Sequence, residues 1–257
     1  MKRLLYLNII VVLLFSLIGC KKNNNDNIKK NGVYYEIFVR SFSDSNGDGI
    51  GDLNGITNKL DYLQDLGIKG IWLMPINTSN TYHGYDIVDY YNINSDYGTI
   101  EDFENLIKEA HKRDINVIMD LVINHTSKDN SWFIKSKEDD SLYRGYYTWI
   151  DLNDSRRNAK RPDNDSSVWH RSGDEYYFGY FGGDMPDLNF SNPRVQEEII
   201  NIGKYWLEKG VDGFRLDAAI HIYATNVYES ISKVFNHNIY FWKDFRDKMR
   251  EINKDVY

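Results

Sequence analysis

Short apolar runs alternate with amphipathic segments along the chain after residue 32. The apolar runs are rich in β-branched and aromatic residues, which predicts buried strands. The predicted strands cover 33–39, 70–74, 116–122 and 213–217. Between them, apolar residues recur every three or four positions, as they do on one face of a helix. The predicted helices cover 53–66, 99–114, 192–209 and 240–252.

The order of these elements predicts the fold class. Strand followed by helix, repeated four times with strands that are apolar on both faces, indicates a parallel sheet covered by helices. We therefore expect an α/β fold of the (β/α)8 TIM-type barrel class, with about the first four β/α units in 32–125 and 191–257. The segment 126–190 is too long for a simple loop. We predict that it forms a small inserted domain after the third strand.

The first 31 residues differ in composition from the rest. Lys2 and Arg3 precede an apolar run that is too short to span a membrane comfortably, and the run ends at Cys20, the only cysteine. This order resembles a bacterial lipoprotein signal. It predicts a signal peptide at 1–19, lipidation of Cys20, attachment to a membrane, a location in the extracytoplasmic cell envelope, and a flexible tether at 20–31. The alternative is an ordinary signal peptide with a chance cysteine.

Charge excludes one class of partner. The net charge is −7, whereas a nucleic-acid-binding protein usually presents a basic face. We therefore expect no nucleic-acid partner. Aromatic residues make up 15% of the chain, which suits both a sugar-stacking surface and a large core.

The fourth predicted strand ends in charged residues. Because side chains alternate along a strand, Arg215 and Asp217 share one face, opposite Phe214 and Leu216. A guanidinium on the same face favours the ionised carboxylate, which suits a nucleophile or an electrostatic stabiliser better than a proton donor. The alternative is a structural ion pair at the strand end.

An acidic loop near the first strand has the spacing of a calcium site. Side-chain oxygens stand at positions 1, 3, 5 and 9 of the loop, a glycine at position 6, and a backbone carbonyl at position 7. The predicted Ca²⁺ ligands are Asp44, Asn46, Asp48, the carbonyl of Ile50, and Asp52. Position 12 is Gly55 instead of glutamate, so we expect a structural calcium loop and not an EF-hand. The alternative is a solvated acidic turn.

Four sequence motifs resemble those of one enzyme family. They are Asp-Leu-Val-Ile-Asn-His at 120–125, Gly-Phe-Arg-Leu-Asp at 213–217, Met-Pro-Asp-Leu-Asn at 185–189 and Tyr-His-Gly-Tyr-Asp at 82–86. In this order they are similar to the signature regions of the α-amylase family of glycoside hydrolases. The resemblance covers about 33–257.

The resemblance implies roles for individual residues. Asp217 matches the nucleophile of a retaining mechanism, and Arg215 matches the arginine that keeps this carboxylate ionised. Asp120 is expected to support the architecture. The implied substrate-binding residues are Tyr82, His83, Tyr85, Asp86, His125 and His221.

A second Ca²⁺ site is also implied, between the barrel and the inserted domain. Its ligands would be Asn124, Asp187 and the carbonyl of His221, with Asp151 as a weaker candidate. One departure from the family concerns Ile220, because many α-amylases carry a substrate-binding lysine at that position.

Retaining hydrolysis needs a second carboxyl group as the acid/base catalyst, and we do not find its expected position in this sequence. In the family it is a glutamate at the end of strand five, and the sequence stops at Tyr257, where that strand should begin. We expect an N-terminal portion of a longer enzyme, inactive by itself.

The expected activity is retaining hydrolysis of α-1,4 bonds in starch or maltodextrin. Tyr82 favours an endo-acting enzyme, which cleaves bonds inside the glucan chain, because related exo-acting enzymes tend to carry an acidic residue at this position. Neopullulanase-like or transglycosylating activity stays open, and the alternative class is a non-catalytic glucan- or calcium-binding surface lipoprotein.

Overall fold

Strands and helices alternate along the part of the chain that the structure describes. This computed structural model describes residues 32–139, 141–223 and 231–257. The predicted signal peptide, the tether and Cys20 lie outside these ranges. The strands are β1 (Tyr34–Ile37), β2 (Gly70–Leu73), β3 (Asn77–Ser79), β4 (Ile87–Ile93), β5 (Asn116–Leu121), β6 (Trp149–Asp151), β7 (Trp169–Ser172), β8 (Glu175–Phe178) and β9 (Gly213–Leu216).

Helices follow most of the strands. They are α1 (Val39–Phe42), α2 (Leu53–Asn58), α3 (Leu60–Asp65), α4 (Ile100–His111), α5 (Ser131–Ser136), α6 (Pro193–Glu208) and α7 (Ile231–Ile252). Short 3-10 turns occur at Arg144–Tyr146 and Ser155–Asn158. Among the described residues, no helix is long and apolar enough to cross a membrane.

The central sheet is parallel and has the order β1-β2-β5-β9. These are the four strands that the apolar runs predicted, and the predicted α/β barrel class is confirmed. Most apolar side chains of the two inner strands β2 and β5 are almost fully buried, for example Ile71, Val117 and Met119. All four strands point the same way, so their carboxyl ends meet at one edge of the sheet.

The sheet curls so that its two outer edges approach each other. The ring of Tyr34 on β1 stacks on that of Tyr257, which hydrogen-bonds beside β9, with ring centroids 5.0 Å apart. Neighbouring strands leave room for these rings, because a side chain at Gly70 would overlap Tyr34 and one at Gly213 would overlap Tyr257. This curvature is that of a barrel wall.

Three predicted helices have different bounds in the structure. The helix predicted at 53–66 is two helices, because the backbone of Lys59 leaves helical geometry at φ −104° and ψ 5°. The helix predicted at 240–252 begins earlier, at Ile231. The helix predicted at 99–114 is α4, which Thr99 opens with a reciprocal cap involving Asp102 and which ends earlier than predicted, at His111.

The segment 126–190 contains an antiparallel sheet of its own, in the order β6-β8-β7. Ile150, Val168, Trp169 and Phe178 form a small core inside it. Main-chain hydrogen bonds join its last residues to the end of β5, since the N–H of Leu188 donates to the carbonyl of Asn124 over 2.8 Å. The segment therefore begins and ends at the edge where the central strands terminate.

Candidate active site

Three charged side chains meet at the carboxyl ends of β5 and β9. Asp120 and Arg215 are register partners on the two strands. The Nη1 of Arg215 lies 3.2 Å from each carboxylate oxygen of Asp120 and also pairs with the Oδ1 of Asp217. Strand alternation thus places Arg215 and Asp217 on one face, and register adds Asp120.

Asp120 is a buried carboxyl group with several donors around it. Its Oδ2 accepts hydrogen bonds from the indole N–H of Trp72 (3.3 Å) and the hydroxyl of Tyr85 (3.2 Å). Burial raises the pKa of Asp120 to about 7, although the nearby charge of Arg215 acts in the opposite direction. The guanidinium of Arg215 lies over the ring of Trp72, 5.2 Å from its centroid. Burial opposes the charge of Arg215, but Asp120 and Asp217 outweigh this effect and raise its pKa.

The chain turns sharply after Asp217. Ala218 has a φ of 46°, in the left-handed region that residues with a side chain rarely adopt. The indole N–H of Trp242 on α7 donates to the carbonyl of Ala219 over 3.0 Å and so anchors the turn to this helix. A strained residue beside a charged cluster is a frequent feature of active sites.

A cavity of about 580 Å³ opens over this cluster. It is lined by His83, Tyr85, His125, Phe181, Met185, Asp217, Ala218, Ile220 and His221. Among these described lining residues Asp217 is the one carboxylate, and its side chain is 17% exposed. The other walls are mainly aromatic and apolar, which is typical of a small-molecule site with one charged group.

His125 is a buried residue that forms part of the cavity wall. Its Nε2 donates to the carbonyl of Tyr85 over 2.9 Å, and its Nδ1 lies 3.4 Å from the side-chain nitrogen of Asn124. Burial lowers the pKa of His125 to about 4, so the ring is neutral at pH 7. The role of hydrogen-bonding a sugar stays a prediction, and both ring nitrogens already have protein partners.

The loop that was expected to bind sugar divides between the cavity and the core. His83 and Tyr85 line the cavity, and the Nδ1 of His83 accepts the N–H of Tyr85 over 3.1 Å. Tyr82 is 69% exposed and does not line the cavity. Asp86 is buried, and its carboxylate accepts hydrogen bonds from the hydroxyls of Ser79 and Thr81. The structure therefore gives Asp86 a role in holding the loop, away from the cavity lining.

The acidic loop is arranged by its own backbone. Asp44 accepts three backbone N–H groups, which lowers its pKa, and the side-chain oxygens of Asn46 and Asp48 each accept one. Asp52 departs from the expected arrangement, because its buried carboxylate caps α2 at Gly55 and accepts from Ser45. Within residues 32–139, 141–223 and 231–257, no group of three or more acidic, histidine or cysteine side chains could hold a metal ion.

Two residues of the second expected calcium site, Asn124 and Asp187, lie together at the junction of β5 and the inserted segment. Asn124 and Asp187 are both buried, and the Oδ1 of Asn124 has no hydrogen-bond partner. Burial raises the pKa of Asp187 to about 8, while the N–H of Tyr180 donates to its Oδ1 over 2.9 Å. An unpartnered buried oxygen beside a buried carboxyl group fits a cation. Asp151 is exposed on β6.

Sequence reasoning missed several side chains of this site. Trp72 contacts both Asp120 and Arg215, and strand alternation on β2 could have placed it on their face. Phe181 comes from the inserted segment and has no spacing relation to the strands. Its ring lies 5.4 Å from His125, and only the folded arrangement brings the two together.

Comparisons with known proteins place this geometry in a family. The family described as alpha amylase, catalytic domain, matches residues 36–257. The chain belongs to the α-amylase catalytic-domain family. Alpha-amylase 3 of Dictyoglomus thermophilum is 50% identical over 229 residues, which is 89% of this chain and 42% of that protein. An oligo-1,6-glucosidase of Bacillus cereus is 48% identical over 197 residues, 73% of this chain and 35% of that protein.

A solved structure of the same family has a similar fold. The crystal structure of alpha-amylase from H. orenii matches with a TM-score of 0.80 and 52% identity, over 89% of this chain and 46% of that one. The chain thus spans less than half the length of these relatives. The cluster of Asp120, Arg215 and Asp217 lies at the carboxyl ends of strands, where barrel enzymes place their chemistry.

Proposed function

We propose that the chain contributes the nucleophile and part of the sugar site of a retaining α-glucan hydrolase acting on α-1,4 bonds. The observation on which this rests is Asp217, the one carboxylate among the described residues that line the cavity, paired with Arg215. Family membership supports glycoside hydrolysis, and the name of Alpha-amylase 3 supports an α-glucan substrate.

Each cavity group has a defined part in this proposal. Arg215 pairs with the Oδ1 of Asp217 and holds the side chain in place, so that a carboxylate oxygen can attack the anomeric carbon. A carbon–oxygen bond to Asp217 forms while the glycosidic bond breaks, and water later releases the sugar. Aromatic rings such as Tyr85 and Phe181 offer faces on which a pyranose can stack.

The proton for the leaving oxygen must come from another carboxyl group. Retaining enzymes place it about 5–5.5 Å from the nucleophile, and no second carboxylate lies among the described residues that line the cavity. The proposal therefore assigns this chain the glycosylation of Asp217 and assigns the proton transfer to none of the residues that the structure describes.

A fluoride substrate tests this step separately from proton transfer, since fluoride departs without protonation. The probe is 5-fluoro-α-D-glucosyl fluoride, whose ring fluorine also slows release of the covalent sugar. We expect the intact mass to rise by one fluoroglucosyl group, on the peptide that contains Asp217. Asp217→Asn should abolish the labelling while keeping the shape of the site.

The same experiment separates the second class of function. A wild-type chain that binds maltohexaose in calorimetry but is never labelled would indicate a glucan-binding protein without catalysis. A chain that neither binds nor is labelled would contradict both proposals. Products from starch and pullulan, measured with the longer enzyme, would separate α-1,4 hydrolysis from neopullulanase-like or transglycosylating activity.

We also propose that the chain binds Ca²⁺ as a structural ion. Asp44, Asn46, Asp48 and the carbonyl of Ile50 would hold it in the acidic loop, because backbone N–H groups already fix the three side chains. Asn124 and Asp187 would hold a second ion, which the unpartnered Oδ1 of Asn124 supports. A bound ion would stabilise the loop and the junction by charge neutralisation.

Attachment to a membrane through Cys20 is proposed from the sequence alone. Mass spectrometry of the N-terminal peptide of the native protein would reveal a lipid on its sulfur. Cys20→Ser should move the protein from the membrane fraction to the soluble fraction, and an unchanged distribution would contradict the proposal.

A further inference from the structure

Three aromatic or planar groups form a stack that joins the inserted segment to the barrel. The guanidinium of Arg161 lies 4.5 Å from the ring centroid of Tyr180. The ring of Tyr180 also stacks on His221, at 4.6 Å with an interplanar angle of 28°. His221 follows β9 and lines the cavity. Arg161 thus contacts a ring that in turn contacts the cavity wall.

Phe181 lies edge-on to this stack. Its ring centroid is 5.2 Å from that of Tyr180 and 5.4 Å from those of both His221 and His125. The guanidinium of Arg161 also lies over Phe181, at 5.6 Å. Phe181 and His221 are therefore the cavity-lining rings whose positions depend on their contacts with Arg161 and Tyr180.

Arg161 is itself held firmly in place. Its Nε and Nη2 donate to the two carboxylate oxygens of Asp163 at 2.9 and 2.5 Å. Its backbone N–H donates to the carbonyl of Ser166 over 2.8 Å, within a turn closed by pairing of Lys160 with Ser167. The Arg161 side chain is only 17% exposed. A bidentate ion pair fixes the plane of a guanidinium as well as its position.

We propose that Arg161 is a positioning residue that sets the cavity wall formed by Phe181 and His221 and so determines how tightly a glucan is bound. The inference rests on the proposed function, because it concerns the same cavity. A sugar stacked on Phe181 needs that ring in one orientation, and rings that move freely lose entropy on binding. Arg161 stabilises the orientation before the sugar arrives, through contacts to both rings of the wall.

The inserted segment offers a matched control for this proposal. Arg156 donates to both carboxylate oxygens of Asp154 and lies over the ring of Trp169, 5.8 Å from its centroid. Trp169 packs in the small core of the segment and does not line the cavity. Arg156 thus makes the same kinds of contact as Arg161, an ion pair and a contact with an aromatic ring, but its ring does not line the cavity.

The test compares Arg161→Met, Arg161→Lys and Arg156→Met with the wild type in titration calorimetry with maltohexaose. Loss of the guanidinium contacts should raise the Kd of Arg161→Met about tenfold. Arg161→Lys should recover part of this loss, because it keeps the charge without the planar group. Arg156→Met should bind as the wild type does. Equal Kd values for Arg161→Met and the wild type, or equal losses in both methionine variants, would overturn the proposal.

A measurement without sugar separates this proposal from the proposed function. The imidazole protons of His221, assigned by their loss in His221→Asn, report on the stacked ring of Tyr180 through its ring current. Arg161→Met should shift these signals, and Arg156→Met should leave them in place. A wild type that binds no maltohexaose would contradict the proposed function, and the shift of His221 would still decide whether Arg161 positions the wall. Unshifted signals in Arg161→Met would overturn the inference.

Discussion

Asp120 should make the protein less stable as the pH rises from 5 to 8. Its carboxyl group is fully buried, and burial raises its pKa from the ordinary value of 3.8 to about 7. The folded protein therefore holds this proton more tightly than the unfolded chain does. Such a group adds stability below the unfolded pKa, and that stability is lost as the pH rises through the folded value.

The size of the effect follows from the two pKa values. Their difference corresponds to about 4 kcal/mol over the full range, since each pKa unit is worth about 1.4 kcal/mol. Between pH 5 and pH 8, about 2.5 kcal/mol of this should disappear from the free energy of unfolding. Arg215, Asp217, Tyr85 and Trp72 are the polar or charged groups around Asp120.

Asp120→Asn isolates this contribution because the amide keeps the shape and does not titrate. The measurement is urea unfolding of both proteins at pH 5, 6, 7 and 8. We expect the wild type to lose stability relative to Asp120→Asn by about 2.5 kcal/mol over that range. Asp139→Asn is the control, since the side chain of Asp139 is 90% exposed. A constant difference between wild type and Asp120→Asn at all four pH values would refute the reasoning.

Two further predictions concern stability elsewhere in the chain. Ca²⁺ at a hundred times its Kd should add about 2.7 kcal/mol to the free energy of unfolding. Thermal unfolding should therefore show a higher Tm with Ca²⁺ than with EDTA. Asp44→Asn should reduce this difference in Tm, whereas the control Asp139→Asn should not. Thr99→Ala should cost about 1 kcal/mol in urea unfolding, because the N–H of Asp102 loses its acceptor at the start of α4. Thr99→Ser keeps the hydroxyl and should recover most of the loss.

The inner strands β2 and β5 were predictable from the sequence because burial on both faces leaves a nearly continuous apolar run. The helix bounds were less accessible. Apolar spacing continues through Lys59, so periodicity could not reveal the break that the backbone makes there. On α7 the apolar pattern is obscured before residue 240, since Asn238 is buried and Phe235 is exposed. Here the amide of Asn238 donates to the carbonyl of Val234, which permits a polar residue on the covered side.

The charged cluster was predictable in part for the same local reason. Alternation along β9 places Arg215 beside Asp217, whereas the contact with Asp120 depends on the register of two strands. Asp86 follows Tyr85 in sequence, but its carboxylate turns to the hydroxyls of the loop. The wall around Phe181 depends on packing between segments that are far apart in sequence, and no local spacing encodes such a contact.

The groups proposed for catalysis and those proposed for ligand binding lie on different parts of the fold. Asp217 and Arg215 belong to the barrel, whereas Phe181 belongs to the inserted segment. Main-chain hydrogen bonds fasten this segment to the residues that follow β5, including the bond from the N–H of Leu188 to the carbonyl of Asn124. A change within the segment can therefore reshape the wall while the charged pair keeps its strand-end position.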